Sequence, residues 1–196
     1  MAQAWWPESA VAAAPRLRGC AGAGTMPVYH SKYNATDVPS VCGCSLLPLR
    51  TRFRGPASAP VEENEDIVDE ALRSFRWNIL FKNFEVLGGA DRVLVYLTLW
   101  IQKCIATAAQ ASGQADASRQ MEAMANADLP GPGDMGFVLG PIFPVGTGGE
   151  CQTAKAYLKQ LRQETLVRLV PVLYPDGQQN KWWFQFSKKK FMNFVL

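Results

Sequence analysis

The segment 90–110, ADRVLVYLTLWIQKCIATAAQ, constrains the fold more than any other part of the chain. Its apolar run 93–101, VLVYLTLWI, would cover nearly every direction around a helix, and a helix that is apolar on all sides is a buried one. Nine residues are too few for the roughly 20 that a membrane-spanning helix needs. A strand could also account for 93–101, but the continuation to Ala111 without a turn signal favours a helix. We therefore predict a central helix surrounded by other elements.

The size and composition of the chain agree with one folded domain. At 196 residues it can bury a substantial core, and its 48% apolar and 19% charged residues are usual for a globular protein. The net charge of +3 is too small to indicate nucleic-acid binding by itself. We predict a mainly α single domain of about five helices, in which one buried helix is surrounded by the others. An extended N-terminal arm and, as a further option, a short β pair complete the fold.

The first of the surrounding helices is predicted over 64–86, NEDIVDEALRSFRWNILFKNFEV. Asn64 can cap it, acids in its opening turn favour the positive end of the helix dipole, and Gly88 and Gly89 should end it. Apart from that role, the acids between 62 and 70 are expected to be a solvated face. The apolar residues on or beside its inward stripe are Val68, Leu72, Phe75, Ile79, Ile67, Ala71, Leu80 and Phe84.

Two more helices are predicted in the second half of the chain. A weak one covers 115–126, and a strong one begins near 150, with Pro171 expected to end or kink it. Between them, the Pro- and Gly-rich residues 127–149 should form an ordered loop, with a short extended pair as an option around GFVLGPIFPV, 136–145. On the strong helix, the residues expected inside are Ala154, Tyr157, Leu158, Leu161 and Leu169, and those expected outside are Lys155, Lys159, Arg162 and Glu164.

The N-terminal part of the chain lacks helical signals. Residues 1–25 are rich in Ala and Gly, and we interpret them as a disordered extension or as sequence before the true start at Met26, which leaves 26–196 as the domain. Four prolines between 26 and 62 prevent a long helix there and predict an extended arm. The arm residues expected to pack are Tyr29, Leu46, Leu47, Leu49 and Phe53.

Candidate catalytic and metal motifs are weak. GPGDMG, 131–136, has dinucleotide-site spacing, but its prolines and the following FVLGPIFPV open no helix for a pyrophosphate. CGC, 42–44, offers two thiols where a structural zinc needs about four ligands, and the other cysteines stand alone in the sequence. The only histidine, His30, lies in the arm and is expected to hydrogen-bond locally. We therefore predict a protein that is not an enzyme, without catalytic residues, cofactor, metal or small-molecule substrate.

The C-terminal stretch KWWFQFSKKKFMNFVL, 181–196, combines basic and aromatic side chains. Such a pattern suits a nucleic-acid surface, where rings stack on bases and lysines contact phosphates. It also suits a protein-docking segment, where aromatic anchors pack and lysine stems cover apolar edges. The candidate partner-binding residues in it are Lys188, Lys189, Lys190, Trp182 and Trp183.

Seven stretches in order give a specific resemblance to a known family. They are MPVYHS (26–31), LLPLRTRFRGPA (46–57), DIVDEAL (66–72), FKNFE (81–85), ADRVLVYLTLWI (90–101), AYLKQLRQET (156–165) and KWWFQFSKKKFMN (181–193). Together they resemble subunit 3 of the actin-related protein 2/3 complex, the p21-Arc family, from Met26 almost to the end. Residues 112–149 match this pattern poorly, and Pro171 falls where the helix of the family would continue.

The resemblance implies a helical, non-catalytic subunit of a seven-part assembly that nucleates branched actin filaments. It implies binding to actin-related protein 3 and to the other subunits, contact with the mother actin filament, and a place in the cytoplasm with the cytoskeleton. No nucleic acid, membrane or small-molecule substrate is expected as a partner. A small basic and aromatic nucleic-acid-binding module is the alternative that the C-terminal stretch leaves open.

Overall fold

The computed structural model describes residues 28–59, 65–194 and 196, and it confirms a mainly helical fold. The predicted extension over 1–25 and the cap at Asn64 lie outside these residues. The helices are α1 (Ile67–Asn78), α2 (Gly89–Ala108), α3 (Gln114–Asn126), α4 (Gly148–Leu173) and α5 (Lys181–Phe184). The strands are β1 (Ser40–Val41) and β2 (Cys44–Ser45), and 3-10 turns cover Lys32–Ala35 and Pro175–Gly177.

Helix α2 is the centre of the molecule, as the sequence predicts. Every residue from Val93 to Gln102 is buried, and α2 contacts α1, α3, α4, α5 and β2. Burying each large apolar side chain contributes about 1.5–3 kcal/mol, so this one helix carries much of the hydrophobic stabilisation. Because α2 has no solvated face, the surrounding helices lie on all of its sides. None of the described helices is long and apolar enough to span a bilayer.

Helix α1 is shorter than predicted at its C-terminal end. It is capped by Asp66, whose Oδ1 accepts hydrogen bonds from the amides of Val68 (3.0 Å) and Asp69 (3.2 Å), and it ends at Asn78. Leu80, expected inside, is therefore exposed outside the helix. At this end of the helix the Asn78 side chain binds the arm, where it pairs with both backbone groups of Tyr29.

Gly88 and Gly89 begin α2 instead of ending α1. Gly88 is the N-cap and Gly89 the first residue of α2. A Cβ on Gly89 would lie 2.9 Å from the backbone nitrogen of Ser45, so α2 can approach β2 only with glycine at this position. The pair of glycines thus marks a close approach between two elements, which a sequence cannot distinguish from a helix end.

Pro171 was expected to end or kink α4, but it does not end the helix, which continues to Leu173. Proline removes one amide and leaves the carbonyl four residues earlier without its helical partner. Here that carbonyl belongs to Val167, which is exposed, so water can satisfy it. Pro171 is itself exposed, and the break costs little this close to the helix end.

Two charged residues of α4 that were expected outside are buried. Arg162 is 2% and Glu164 is 6% exposed. The Arg162 guanidinium donates to the Tyr96 hydroxyl (3.0 Å) and to the carbonyls of Ala125 (3.3 Å) and Ala127 (3.0 Å). It therefore caps the C-terminal end of α3 and joins it to α2 and α4. The five residues predicted to face inward on α4 are all buried.

The short β pair lies in the arm and not at 136–145. Strands β1 and β2 pair antiparallel through Ser40 with Ser45 and Val41 with Cys44. The segment 136–145 forms turns, in which Pro141 and Pro144 cannot donate to a ladder. The loop around them is nevertheless ordered and packed, as predicted, because the rings of Phe137 and Phe143 meet edge to face at 5.3 Å.

Candidate partner-binding surface

The N-terminal arm is held on the helices by a buried carboxylate. Glu70 is completely buried, and it accepts hydrogen bonds from the Tyr29 hydroxyl (2.9 Å), the Ser31 hydroxyl (2.7 Å) and the Lys32 amide (2.9 Å). Burial, with the nearby Glu70 carboxylate, raises the pKa of Tyr29 to about 12. The expectation of a wholly solvated acidic run is therefore wrong for Glu70, and likewise for Asp66, which is 4% exposed.

A second buried carboxylate, Asp91 in the first turn of α2, receives the next part of the arm. Its oxygens lie 2.8 Å from His30 Nδ1 and 2.8 Å from the Ser31 amide, and they accept from the Leu87 amide at 3.0 Å. His30 thus bonds a residue 61 positions away, which corrects the expectation of a local partner. The ring of His30 also packs on Phe84 at 5.1 Å. Together Glu70 and Asp91 fix the arm across α1 and α2.

An ion-pair cluster joins the start of α1 to α4. The Arg168 guanidinium reaches both oxygens of Asp66 (2.6 and 2.7 Å), and it lies 2.9 Å from Asp69 and 2.8 Å from Glu164. Burial opposes the charge, but Asp66, Glu164 and Asp69 hold the pKa of Arg168 above its usual value. Burial also opposes the charge of Asp69, which by itself would raise its pKa. The ion pairs with Arg168 and Arg50 have the larger effect, so the pKa of Asp69 lies below its usual value. These carboxylates are therefore structural.

The C-terminal stretch packs on the domain through alternate aromatic rings. Trp183 stacks on Phe75 at 5.4 Å, and Phe186 meets the same ring edge-on at 5.8 Å. Further along, Phe191 is completely buried and packs edge to face on Phe84 at 6.0 Å. The rings of Trp183, Phe186 and Phe191 are thus at most 9% exposed, and the stretch is anchored at both ends.

Between these anchors the segment presents cations to the solvent. Lys188, Lys189 and Lys190 are all exposed, and the Lys189 amide donates to the Phe186 carbonyl at 3.0 Å, which fixes the turn. Trp182, in α5, is 70% exposed although its neighbour Trp183 is buried. We call Trp182, Lys188, Lys189 and Lys190 the C-terminal surface. Of the five predicted partner-binding residues, the fold leaves these four available, whereas Trp183 belongs mostly to the core.

Sequence reasoning missed exposed apolar residues at the end of α1. The Met192 amide donates to the Phe81 carbonyl at 3.3 Å, which places this end beside the C-terminal stretch. Trp77 is 49% and Leu80 is 52% exposed there. Helical periodicity places Trp77 away from the buried face of α1 that contains Phe75, so the exposure of Trp77 could have been predicted. For Leu80 there was none, because the periodicity was extended past the true helix end.

The fold brings two cysteines together that seemed isolated in the sequence. The sulfurs of Cys42 and Cys151 are 3.6 Å apart. Within the described ranges, no group of three or more His, Cys, Asp or Glu side chains is arranged to hold a metal ion. The GPGDMG segment forms turns, in which the Gly131 amide donates to Asp134 at 2.9 Å, and the next helix begins only at Gly148.

The described residues form a small helical domain whose buried charges bind one another and which exposes an aromatic and basic surface. Comparison with known proteins identifies the family. The family P21-Arc, described as "ARP2/3 complex ARPC3 (21 kDa) subunit", matches residues 26–196. The chain belongs to this family.

Individual relatives support this assignment along most of the chain. "Actin-related protein 2/3 complex subunit 3" of Dictyostelium discoideum is 42% identical over 174 residues, covering 86% of this chain and 99% of the relative. The protein with the same name from Schizosaccharomyces pombe is 40% identical over 175 residues, covering 87% of this chain and all of the relative. That of Arabidopsis thaliana is 38% identical over 172 residues, covering 86% and 99%.

Proposed function

We propose that the protein is a non-catalytic structural subunit of the actin-related protein 2/3 complex and supports the nucleation of branched actin filaments. In this role it binds actin-related protein 3 and contacts the mother filament, in the cytoplasm with the cytoskeleton. The observation that carries the proposal is the family match over 26–196, the whole of the described fold. The exposed C-terminal surface supports it, because a subunit acts through accessible side chains on a rigid domain.

The C-terminal surface has the features of a protein contact. An exposed tryptophan is a common hot spot of protein interfaces, because it buries a large area on binding at low cost in conformational entropy. The cations of Lys188, Lys189 and Lys190 would complement an acidic actin-like surface, which raises association rates more than final affinity. The rigid anchoring by Phe186 and Phe191 holds these groups in place before binding, so little ordering cost remains.

Scaffolding is the mechanism that follows from this arrangement. A large, shape-matched interface can hold actin-related protein 3 in a filament-like position, so that the slow assembly of an actin nucleus is bypassed. The protein then contributes binding free energy and geometry, and the chemistry of nucleotide hydrolysis stays with other subunits. The buried networks around Glu70 and Arg168 serve this role indirectly, because they keep the arm and helices from moving when the interface forms.

The test is the native mass of what co-purifies with a tagged chain expressed in its own cells. A stoichiometric assembly that contains two actin-related proteins is expected. Recovery of a lone chain, or of a chain with bound nucleic acid that salt removes, would contradict the proposal and favour the nucleic-acid alternative. In that stretch Trp183, Phe186 and Phe191 are buried, which leaves Trp182 and the partly exposed rings of Phe184 and Phe194 for base stacking.

Charge reversal separates the role of the lysines from the fold. The variant Lys188→Glu, Lys189→Glu, Lys190→Glu should slow incorporation into the complex or lower the branching rate at low salt, with a smaller effect at high salt. A matched control reverses three exposed cations elsewhere, Arg52, Arg54 and Lys159, which should leave both rates unchanged. Equal rates for the wild type and the lysine variant would exclude the C-terminal lysines from the interface.

A further inference from the structure

Cys42 and Cys151 form a thiol pair that the proposed function does not use. The two residues are 109 positions apart, yet their sulfurs lie 3.6 Å from each other, and both are free cysteines. A disulfide bond is about 2.05 Å long, so the sulfurs need to approach by only about 1.5 Å. Cys42 is 4% exposed and Cys151 is partly exposed, which gives one protected thiol and one that a small oxidant can reach.

The backbone at Cys42 is unusual for a cysteine. Cys42 and Gly43 are the two residues of the turn between β1 and β2, and their φ angles are +47° and +69°. A two-residue turn with two positive φ angles is the type I′ hairpin, which favours Asn, Asp and Gly. A Cys there is held in a costly conformation, and such conformations persist where the surrounding structure fixes them. This turn directs the thiol of Cys42 towards Cys151.

The surroundings hold the two thiols together. Arg92 in α2 donates to the Gly43 carbonyl (3.0 Å) and to the Ile142 carbonyl (2.6 Å), and so ties the hairpin to the loop that leads into α4. A Cβ on Gly146 would lie 3.1 Å from the Cys42 sulfur, and the Cys151 sulfur lies 3.7 Å from the Gly146 carbonyl. The thiols are thus brought into contact by the fold and not by chance proximity of flexible ends.

We propose that Cys42 and Cys151 are a modification site, at which a small disulfide such as oxidised glutathione converts the two thiols into an intramolecular disulfide. The Cys151 thiolate attacks one sulfur of oxidised glutathione, forming a mixed disulfide and releasing one glutathione thiolate. The Cys42 thiolate then attacks the Cys151 sulfur and displaces the second glutathione thiolate. The two glutathione thiolates take up the two protons that the cysteines lose, so one disulfide is reduced as the other forms.

The expected consequence is a tighter connection between the hairpin and α4. Closing a loop of this length restricts the unfolded chain strongly, so the oxidised protein should melt roughly 5 °C or more above the reduced one. Burial raises the pKa of the Cys42 thiol, with the hydrogen bond to Cys151 adding to it. Cys44 and Cys104 are completely buried and should not compete.

The experiment treats the purified full-length chain with excess oxidised glutathione, then alkylates the remaining thiols and maps the peptides by mass. The expected product is a linked peptide pair that joins Cys42 to Cys151, together with the rise in melting temperature and its reversal by a reductant. Cys42→Ser and Cys151→Ser should each abolish both results. Cys20→Ser, which removes the cysteine outside the described residues, is the matched control and should change neither.

Several outcomes would overturn the proposal. One is glutathione retained on Cys151 without release, since it would mean that Cys42 cannot reach the mixed disulfide. Another is a link between Cys20 and either thiol that replaces the expected pair. A third is complete alkylation of both thiols after prolonged oxidation. Each is read from the wild-type peptide map, so the conclusion stands even if a serine variant folds poorly.

Discussion

The Ser31 hydroxyl donates a 2.7 Å hydrogen bond to the carboxylate of Glu70, which has no contact with solvent. One residue belongs to the arm and the other to α1, 39 positions along the chain. A buried carboxylate is tolerated only when its oxygens are hydrogen-bonded. The arm therefore completes the domain, because it supplies the hydrogen bonds that this buried carboxylate accepts.

Replacing Ser31 by Ala should destabilise the protein by about 1–3 kcal/mol. The change removes one of three donors to the Glu70 carboxylate and leaves part of a buried charge unsatisfied. Urea unfolding followed by circular dichroism measures the loss. Ser40→Ala is the matched control at an exposed position of the arm, and it should change the free energy of unfolding by less than about 0.5 kcal/mol. Equal effects of the two variants would contradict a stabilising role for the hydrogen bond between Ser31 and Glu70.

Arg162→Met should cost at least about 2 kcal/mol of stability. Methionine fills similar space, but the Tyr96 hydroxyl and the carbonyls of Ala125 and Ala127 lose their buried donor. Lys159→Met on the exposed side of the same helix should have an effect close to zero. Thermal and urea unfolding of both variants distinguishes the buried role of Arg162 from the exposed one that periodicity suggests. A loss below about 0.5 kcal/mol for Arg162→Met would show that the bonds contribute little.

The ion pairs of Asp69 should make stability fall in acid. Arg168 and Arg50 lower the pKa of Asp69 in the folded protein, so the folded state binds its proton less tightly than the unfolded chain does. This contribution is complete above the unfolded value of about 3.9 and is lost as the pH falls through the lower folded value. An NMR titration of the Asp69 carboxyl should give a midpoint below 3.9, and Asp69→Asn should flatten the stability profile below about pH 4. A midpoint at or above the ordinary value would contradict the pairing.

Truncating two aromatic residues of the C-terminal stretch should affect stability very differently. Phe191→Ala should lower the free energy of unfolding by about 3–5 kcal/mol, because its ring is completely buried against Phe84. Trp182→Ala should leave stability within about 0.5 kcal/mol, because most of that side chain is exposed. If the proposed function is right, Trp182→Ala should also weaken incorporation into the complex by roughly 10-fold or more. Normal incorporation of Trp182→Ala would place the interface elsewhere.

Most of the helical architecture could be predicted from periodicity. The all-round apolar pattern of 93–101 correctly predicts the buried helix α2, and the stripe of Tyr157, Leu158 and Leu161 predicts the inward face of α4. These predictions work because hydrophobic burial depends on spacing along the helix, which the sequence displays directly. The ends of α1 were harder to predict from the sequence, because they depend on which residues cap the helix and where the arm docks.

The candidate surface could be predicted only in part. The sequence indicates a basic and aromatic stretch, but it cannot tell that Trp183 stacks on Phe75 while Trp182 points to solvent. Adjacent residues of a helix face different directions, and the ring that is buried depends on where a distant partner lies. The role of the C-terminal surface in binding stays a prediction, with Trp182→Ala and the lysine variant as its tests.

The sequence by itself determined the fold class, the central helix and the family, because these depend on hydrophobic spacing and on the order of local segments. Only the tertiary structure decided which charged residues are buried. Glu70, Asp91 and Arg162 are of residue types that usually lie on the surface, but they are buried because partners remote in sequence bind their charged groups. The contact between Cys42 and Cys151 has the same origin. Hydrogen bonds and thiol contacts require atoms at fixed distances, and the distance between segments far apart in the chain is set only when the chain has folded.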